Sequence, residues 1–166
     1  ANLGLLPALV GPRDAIFSDA LVHASLVDGA RLSRANVHVH AHNDLDELEA
    51  QLTRARGARR RLVAVEGVYS MDGDRAPLAE LDELCARHDA WLVVDEAHSA
   101  GLLGPEGAGA WAELERAADD AGRLLARIYT CGKALGGTGA VVAGSASLRE
   151  TLVNRARSLH FTTGPS

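Results

Sequence analysis

Lysine is all but missing from this chain: of its 17 Lys and Arg residues, every one but Lys133 is arginine. A guanidinium stays protonated at any working pH, whereas a desolvated amine can lose its proton and attack a carbonyl carbon. Amine chemistry here therefore belongs to Lys133. A GC-rich coding sequence accounts for the arginine excess but not for the position of the surviving lysine in a glycine-rich turn. Aromatic residues are scarce too, at 4%, so the core must come from Leu, Val and Ala, which with the other apolar types make up 47% of the chain. Cysteine is limited to Cys85 and Cys131, whose spacing suits neither a metal site nor a redox pair. No apolar run approaches membrane-spanning length and no signal peptide is visible, so a cytoplasmic protein without a membrane partner is expected. A net charge of −5 gives no basic patch for nucleic acid. The run Arg59-Arg60-Arg61 abuts a strand pattern and reads as a solvated strand entrance.

What is present is an alternation of short apolar runs with helical patterns, the mark of an α/β domain with a largely parallel sheet. Strands are predicted at 15–18, 37–41, 62–66, 91–95, 127–131 and 139–143, and helices at 3–10, 23–32, 45–56, 78–88, 111–125 and 147–157. Asp44 is a cap for the third helix, with Glu47 placed to reach back to the cap amide; Pro77 suits the first turn of the fourth. The link between the last two strands is too short for a helical crossover, so one antiparallel strand is expected in a mixed sheet, within a three-layer sandwich. The 166 residues suffice for one domain burying roughly 70% of its unfolded surface. The chain opens on Ala1-Asn2-Leu3-Gly4 without an initiator methionine and closes on Thr162-Thr163-Gly164-Pro165-Ser166. A piece of a longer protein is expected.

Three constellations could carry chemistry. Trp91-Leu92-Val93-Val94-Asp95 is a continuous apolar run ending in an acid, followed closely by His98. At the carboxyl end of a parallel strand, where ligands bind, such a carboxylate could hold a protonated heterocyclic nitrogen and the histidine could reach a ring oxygen. Pyridoxal phosphate uses that pair, together with a lysine that carries it as a Schiff base. The bland reading makes Asp95 a turn cap. Glu66 to Asp74 also follows an apolar run, and its Ser70 would lie near the same sheet edge as Asp95; the calcium-loop spacing is absent. His38, His40 and His42 could present imidazoles on one strand face for zinc, but without a second shell a polar face is the preferred reading and no metal is expected. His23, opening a helix, reads by itself as a capping or packing residue. Neither nucleotide loop is present: Ile128 stands where a P-loop needs its first glycine, and Gly104 to Gly109 has the wrong order for a dinucleotide fingerprint.

The stretches EGVYSMDGDRAPL, VVDEAHSAGLLG and TCGKALGG, supported by HASL and HNDLDELE, together resemble the α-oxoamine synthases, fold-type-I pyridoxal-phosphate enzymes. The resemblance covers essentially the whole chain, more loosely at 109–127. It implies that Lys133 carries pyridoxal 5'-phosphate, that Asp95 partners its ring nitrogen and that His23 stacks on the ring face, these three being the catalytic residues. It implies further cofactor contacts from Ser70, His98 and Thr130, and, from Thr162 and Thr163, contacts to the cofactor phosphate of a neighbouring subunit in a homodimer. The implied reaction condenses an amino acid with an acyl-CoA or acyl-carrier-protein thioester, releasing carbon dioxide. Alanine with a pimeloyl thioester is the expected pair, with glycine- and serine-using members, or a non-catalytic fragment retaining the fold, as alternatives. The family's phosphate-holding glycine and aromatic residue, and its substrate-gripping arginine in a small domain, have no counterpart here. On that footing residues 1–166 are a partial cofactor-binding large domain, unable by itself to complete an active site.

Overall fold

The computed structural model describes residues 1–114 and 122–160. Its strands are β1 (Ala15–Asp19), β2 (Asn36–His40), β3 (Arg61–Glu66), β4 (Trp91–Asp95), β5 (Leu124–Thr130) and β6 (Ala140–Gly144), in one sheet of order β2-β1-β3-β4-β5-β6. The first five are parallel and β6 runs antiparallel to β5. Only nine residues separate Thr130 from Ala140, fewer than the dozen or so that a parallel crossover needs. The reversal follows from that link length.

Every residue of β1 is buried, and β3 and β4 are buried from their second residue onward. Successive side chains on a strand point to opposite faces, so unbroken burial requires cover on both faces of the sheet. The helices supply it: α1 (Asn2–Leu9), α2 (Ala24–Ser33), α3 (Leu45–Arg54), α4 (Leu78–Arg87), α5 (Ala146–Arg155) and α6 (Arg157–His160). α1 packs on α2, α5 and α6, while Glu49 ties α3 to Arg87 and His88 at the end of α4. α3 shows the logic of each helix. Leu48 and Leu52, one turn apart, are fully buried, each contributing about 1.5–3 kcal/mol relative to exposure. α1 and α2 come close because α2 carries Gly29, where an added Cβ would lie 2.7 Å from the Asn2 carbonyl oxygen.

Asp44 caps α3 as expected, accepting from the Glu47 amide at 2.8 Å, but Glu47 reaches the Ala41 amide (2.7 Å) rather than the cap's own. The arginine run stands at the entrance to β3 with Arg59 and Arg60 exposed, as expected, and it also ties that entrance down. Arg59 makes two bonds to buried Asp14, Arg60 reaches the Leu9 carbonyl, and Arg61 binds carbonyls of Ala58 and His88. The helix predicted at 111–125 is corrected at both ends. Ala110–Glu113 is a 3₁₀ turn, and β5 begins at Leu124, because Leu124 pairs with Leu92 in the sheet. The middle of that prediction, 115–121, lies outside the described residues.

Candidate active site

β3 and β4 end in register, with Glu66 opposite Asp95, and β5 ends beside them at Thr130. Polar residues that would be costly inside the sheet thus emerge together at the carboxyl edge, where a parallel sheet opens a crevice. The turn after β5 adds Lys133, the start of α1 adds Asn2, and the start of α2 adds His23. All of these line a cavity of about 320 Å³, with Ser25 and His98. Small-molecule sites span about 300–1,000 Å³, so a single ring-sized ligand fits. Two larger hollows lie at 660 and 740 Å³. Neither is lined by Lys133, Glu66 or Asp95, and both are bordered by α5.

Lys133 Nζ stands 2.7 Å from His98 Nε2. Burial and then the Lys133 charge hold His98 below its ordinary pKa, so the ring is the acceptor and the amine the donor. The turn bearing Lys133 seats against Gly101 (φ +79°), where an added Cβ would fall 2.8 Å from the Ala134 Cβ. Asp95 is buried and held from both sides: its Oδ1 accepts from the Ala97 amide at 3.0 Å and its Oδ2 from Asn2 Nδ2 at 2.8 Å. Glu66, 2% exposed, accepts from the His23 amide. Burial pushes its carboxyl up to about 7 against that bond, and the adjacent Asp95 adds to the rise. The next acid, Glu96, has a different task. It turns away to accept from the Ala110 and Trp111 amides at 2.9 and 3.0 Å and from Ser99 Oγ, pinning the loop that follows.

Of the residues singled out from the sequence, His23, Asp95, His98, Thr130 and Lys133 share the cavity. His23 does also what its position alone suggested: it caps α2, its Nδ1 accepting from the Ser25 amide at 3.1 Å. Ser70 is not among the lining residues. Tyr69 beside it is fully buried and Ser70 is exposed, but the Ser70 backbone amide meets the Glu66 carboxyl, which borders the cavity. Thr162 and Thr163 lie outside the described residues. Glu66, Asn2 and Ser25 were not singled out individually. Glu66 carries the same signature as Asp95, an apolar run ending in an acid, and could have been found; nothing local marks Asn2. The three strand-spaced histidines diverge. His38 stacks on Phe17 at 5.1 Å, buried His40 turns to the Ala41 carbonyl, and His42 lies between Asp19 and Asp74. No three His, Cys, Asp or Glu among the described residues converge as metal ligands.

A mostly parallel sheet whose carboxyl edge gathers a lysine, an in-register pair of acids and a flanking histidine defines an α/β domain with a lysine-bearing cavity at its strand ends. The chain belongs to the family described as aminotransferase class I and II, whose profile matches residues 1–166. It is 56% identical over 164 residues to the 8-amino-7-oxononanoate synthase of Aromatoleum aromaticum, covering 99% of this chain and 41% of that protein. To the enzyme of the same name from Paracidovorax citrulli it is 52% identical, covering 98% and 39%. Among solved structures it is similar to a serine palmitoyltransferase from S. paucimobilis with a bound PLP–myriocin aldimine: TM-score 0.89, 34% identity, 98% of this chain and 41% of that one. The 8-amino-7-oxononanoate synthase of Francisella tularensis gives a TM-score of 0.82 at 32% identity, covering 99% and 46%. The chain spans about 40% of the length of the curated relatives it matches.

Proposed function

We propose that this chain forms the pyridoxal-phosphate-binding part of an α-oxoamine synthase that condenses L-alanine with a pimeloyl thioester, as its relatives named 8-amino-7-oxononanoate synthase would. The observation that carries the reading is the convergence of Lys133, Asp95, His98 and His23 on one cavity at the carboxyl edge of the sheet. The donor set fits the cofactor. Lys133 would hold it covalently, Asp95 would face the ring nitrogen, His23 would lie against the ring and His98 would reach the ring oxygen. Thr130 stands at the rim beside them. Ser70, and Thr162 and Thr163 towards a partner subunit's phosphate, are carried as contacts by family resemblance alone.

When bound, the cofactor supplies an electron sink for charge developing at the substrate α-carbon. The residues do the rest. His98, kept neutral by burial and by its cationic neighbour, accepts from Lys133 Nζ and aims the amine into the cavity. Lys133 Nζ would be the group that takes the α-proton, in the neutral form that has a lone pair to accept it. Asp95, anchored by two N–H donors, presents a fixed carboxylate that needs no reorganisation as charge develops. Glu66 sits beside it with a carboxyl balanced near neutrality, so the pair need not carry two full charges. The balance of the reaction is amino acid plus acyl thioester giving an amino ketone, carbon dioxide and the free thiol. The working protein is read as a cytoplasmic homodimer, with the phosphate grip and the substrate-carboxylate arginine supplied by segments beyond those described. Among the described residues no helix is long and apolar enough to cross a membrane.

The test, on the full-length protein that contains this chain, is release of free thiol from pimeloyl-CoA, with pyridoxal phosphate present and alanine, glycine or serine as partner. Turnover with alanine and pimeloyl-CoA is expected. Preference for serine with a long-chain acyl-CoA would instead support the sphingoid reaction, and glycine with a short one the ligase or aminolevulinate reactions.

A further inference from the structure

Asn2 is 5% exposed, and its amide nitrogen lies 2.8 Å from Asp95 Oδ2 and 2.9 Å from Ser25 Oγ. An amide nitrogen has two hydrogens, and both are thereby used. Its oxygen is buried without a partner. Turning the amide over would set that oxygen against the Asp95 carboxylate, so the neighbours fix its orientation. Ser25, accepting from Asn2, has its own O–H free to donate to His23 Nδ1 at 2.8 Å, and the Ser25 amide reaches the same nitrogen at 3.1 Å. A ring nitrogen that faces two donors is an acceptor, which leaves the imidazole hydrogen on Nε2. The bonds therefore run in one direction, from Asn2 to Ser25 to His23, with a second branch from Asn2 to Asp95. The close approach of α1 and α2 at Gly29 sets the distance that lets Asn2 span both.

We infer that Asn2 is a positioning residue: through Ser25 it locks Asp95 and His23 into one fixed relation and selects the His23 tautomer whose only donor is Nε2. The part played by Asp95 and His23 towards pyridoxal phosphate rests on the proposed function; the hydrogen-bonded chain itself does not. The unpartnered amide oxygen is the cost of using both hydrogens, and it is accepted because the alternative orientation would leave Asp95 Oδ2 and Ser25 Oγ unserved. Asn2 acts on the cofactor through its neighbours, so its removal changes how tightly and in what geometry the ring is held.

The inference is tested with wild type, Asn2→Asp and Ser25→Ala, measuring the dissociation constant of pyridoxal phosphate across pH and the nitrogen-15 signals of the His23 ring without cofactor. Asn2→Asp keeps the shape but loses the donors until its new carboxyl is protonated. Its affinity relative to wild type is expected to fall about ten- to a hundredfold near neutral pH, the effect of removing a hydrogen bond to a charged group. The gap should narrow as pH falls and the new O–H can donate. Wild-type His23 should show an unprotonated Nδ1 and a protonated Nε2, and Ser25→Ala, at a half-buried position that tolerates the change, should shift those signals. A hydrogen on Nδ1 in wild type, unchanged His23 signals in Ser25→Ala, or an Asn2→Asp affinity ratio that is flat with pH would each overturn the inference. If wild type bound no pyridoxal phosphate, the functional reading would fail, while the His23 signals would still decide the hydrogen-bonded chain.

Discussion

Two clusters of acids and imidazoles stand on the same edge of the sheet, and they use their charges differently. At the ends of β1 and β2, His42 lies 2.9 Å from Asp19 and 2.6 Å from Asp74, so both ring nitrogens face carboxylates. Asn43 reinforces it, its amide going to Asp19 and its side chain to Asp74, and Tyr69 packs edge-on at 4.4 Å. At the ends of β3, β4 and β5, Glu66, Asp95, His98 and Lys133 instead border the 320 Å³ cavity. The outer cluster uses its charges on itself, stapling the turn around Gly73 to the sheet. The inner one keeps an amine facing open volume. A concentration of titratable groups therefore marks a site only when a nucleophile within it has room for a ligand; otherwise it is a clamp.

That contrast can be broken from either side. Asp95→Asn keeps the size of the side chain and removes the charge, and turnover is expected to fall about 100- to 1,000-fold, the range for losing a preorganised electrostatic contact. Steady-state kinetics on the folded variant checks it; the new amide also sets an N–H against the Ala97 or Asn2 donor, so about 1–3 kcal/mol of stability should be lost as well. His42→Ala should cost stability without the loss of turnover. It strips a partner from Asp19, whose side chain is fully buried, and is expected to cost about 1–3 kcal/mol of stability in urea titration. The lower end of that range applies because the ring is 26% exposed. Turnover at a temperature where the variant remains folded should change less than twofold.

The smallest effect is a matter of pH. Burial opposes protonation of His42, but its hydrogen bonds to Asp19 and Asp74 outweigh that and raise its pKa above the ordinary 6.5. A histidine whose pKa is higher when folded stabilises fully below its unfolded value, and that contribution drains away as pH rises through the folded one. Wild-type stability should therefore decline as pH increases from 6.5 through the raised value. His42→Gln should flatten that segment of the curve, and an unchanged slope would show that the clamp does not depend on the histidine's charge.

How much of this was legible in the sequence depends on the range of the interaction. The apolar runs that became β1, β3 and β4 were readable because burial on both faces leaves their interiors apolar but for Ser18, and the reversed β6 was readable from link length alone. Asp95 and Lys133 announced themselves by pattern and by rarity. The start of β5 was misread as helix because Leu124 and Leu125 fit either period, and pairing with β4 decided between them. Asn2 reaches Asp95 across 93 residues, and His42 reaches Asp74 across 32; neither contact leaves a local trace. Ser70 was placed near the site because its strand leads there, and its backbone amide does meet the Glu66 carboxyl at the cavity although the residue is exposed.

The central claim is that Lys133, standing alone among the basic residues, is where pyridoxal phosphate attaches. The most direct measurement is the visible absorbance of the protein mixed with pyridoxal phosphate, before and after Lys133→Ala, followed by borohydride reduction and mass analysis of the peptide bearing the label. The account expects a band in wild type that is absent from Lys133→Ala, with the reduced cofactor on Lys133. A band that survives Lys133→Ala, or a label found on the chain's amino terminus instead, would contradict it.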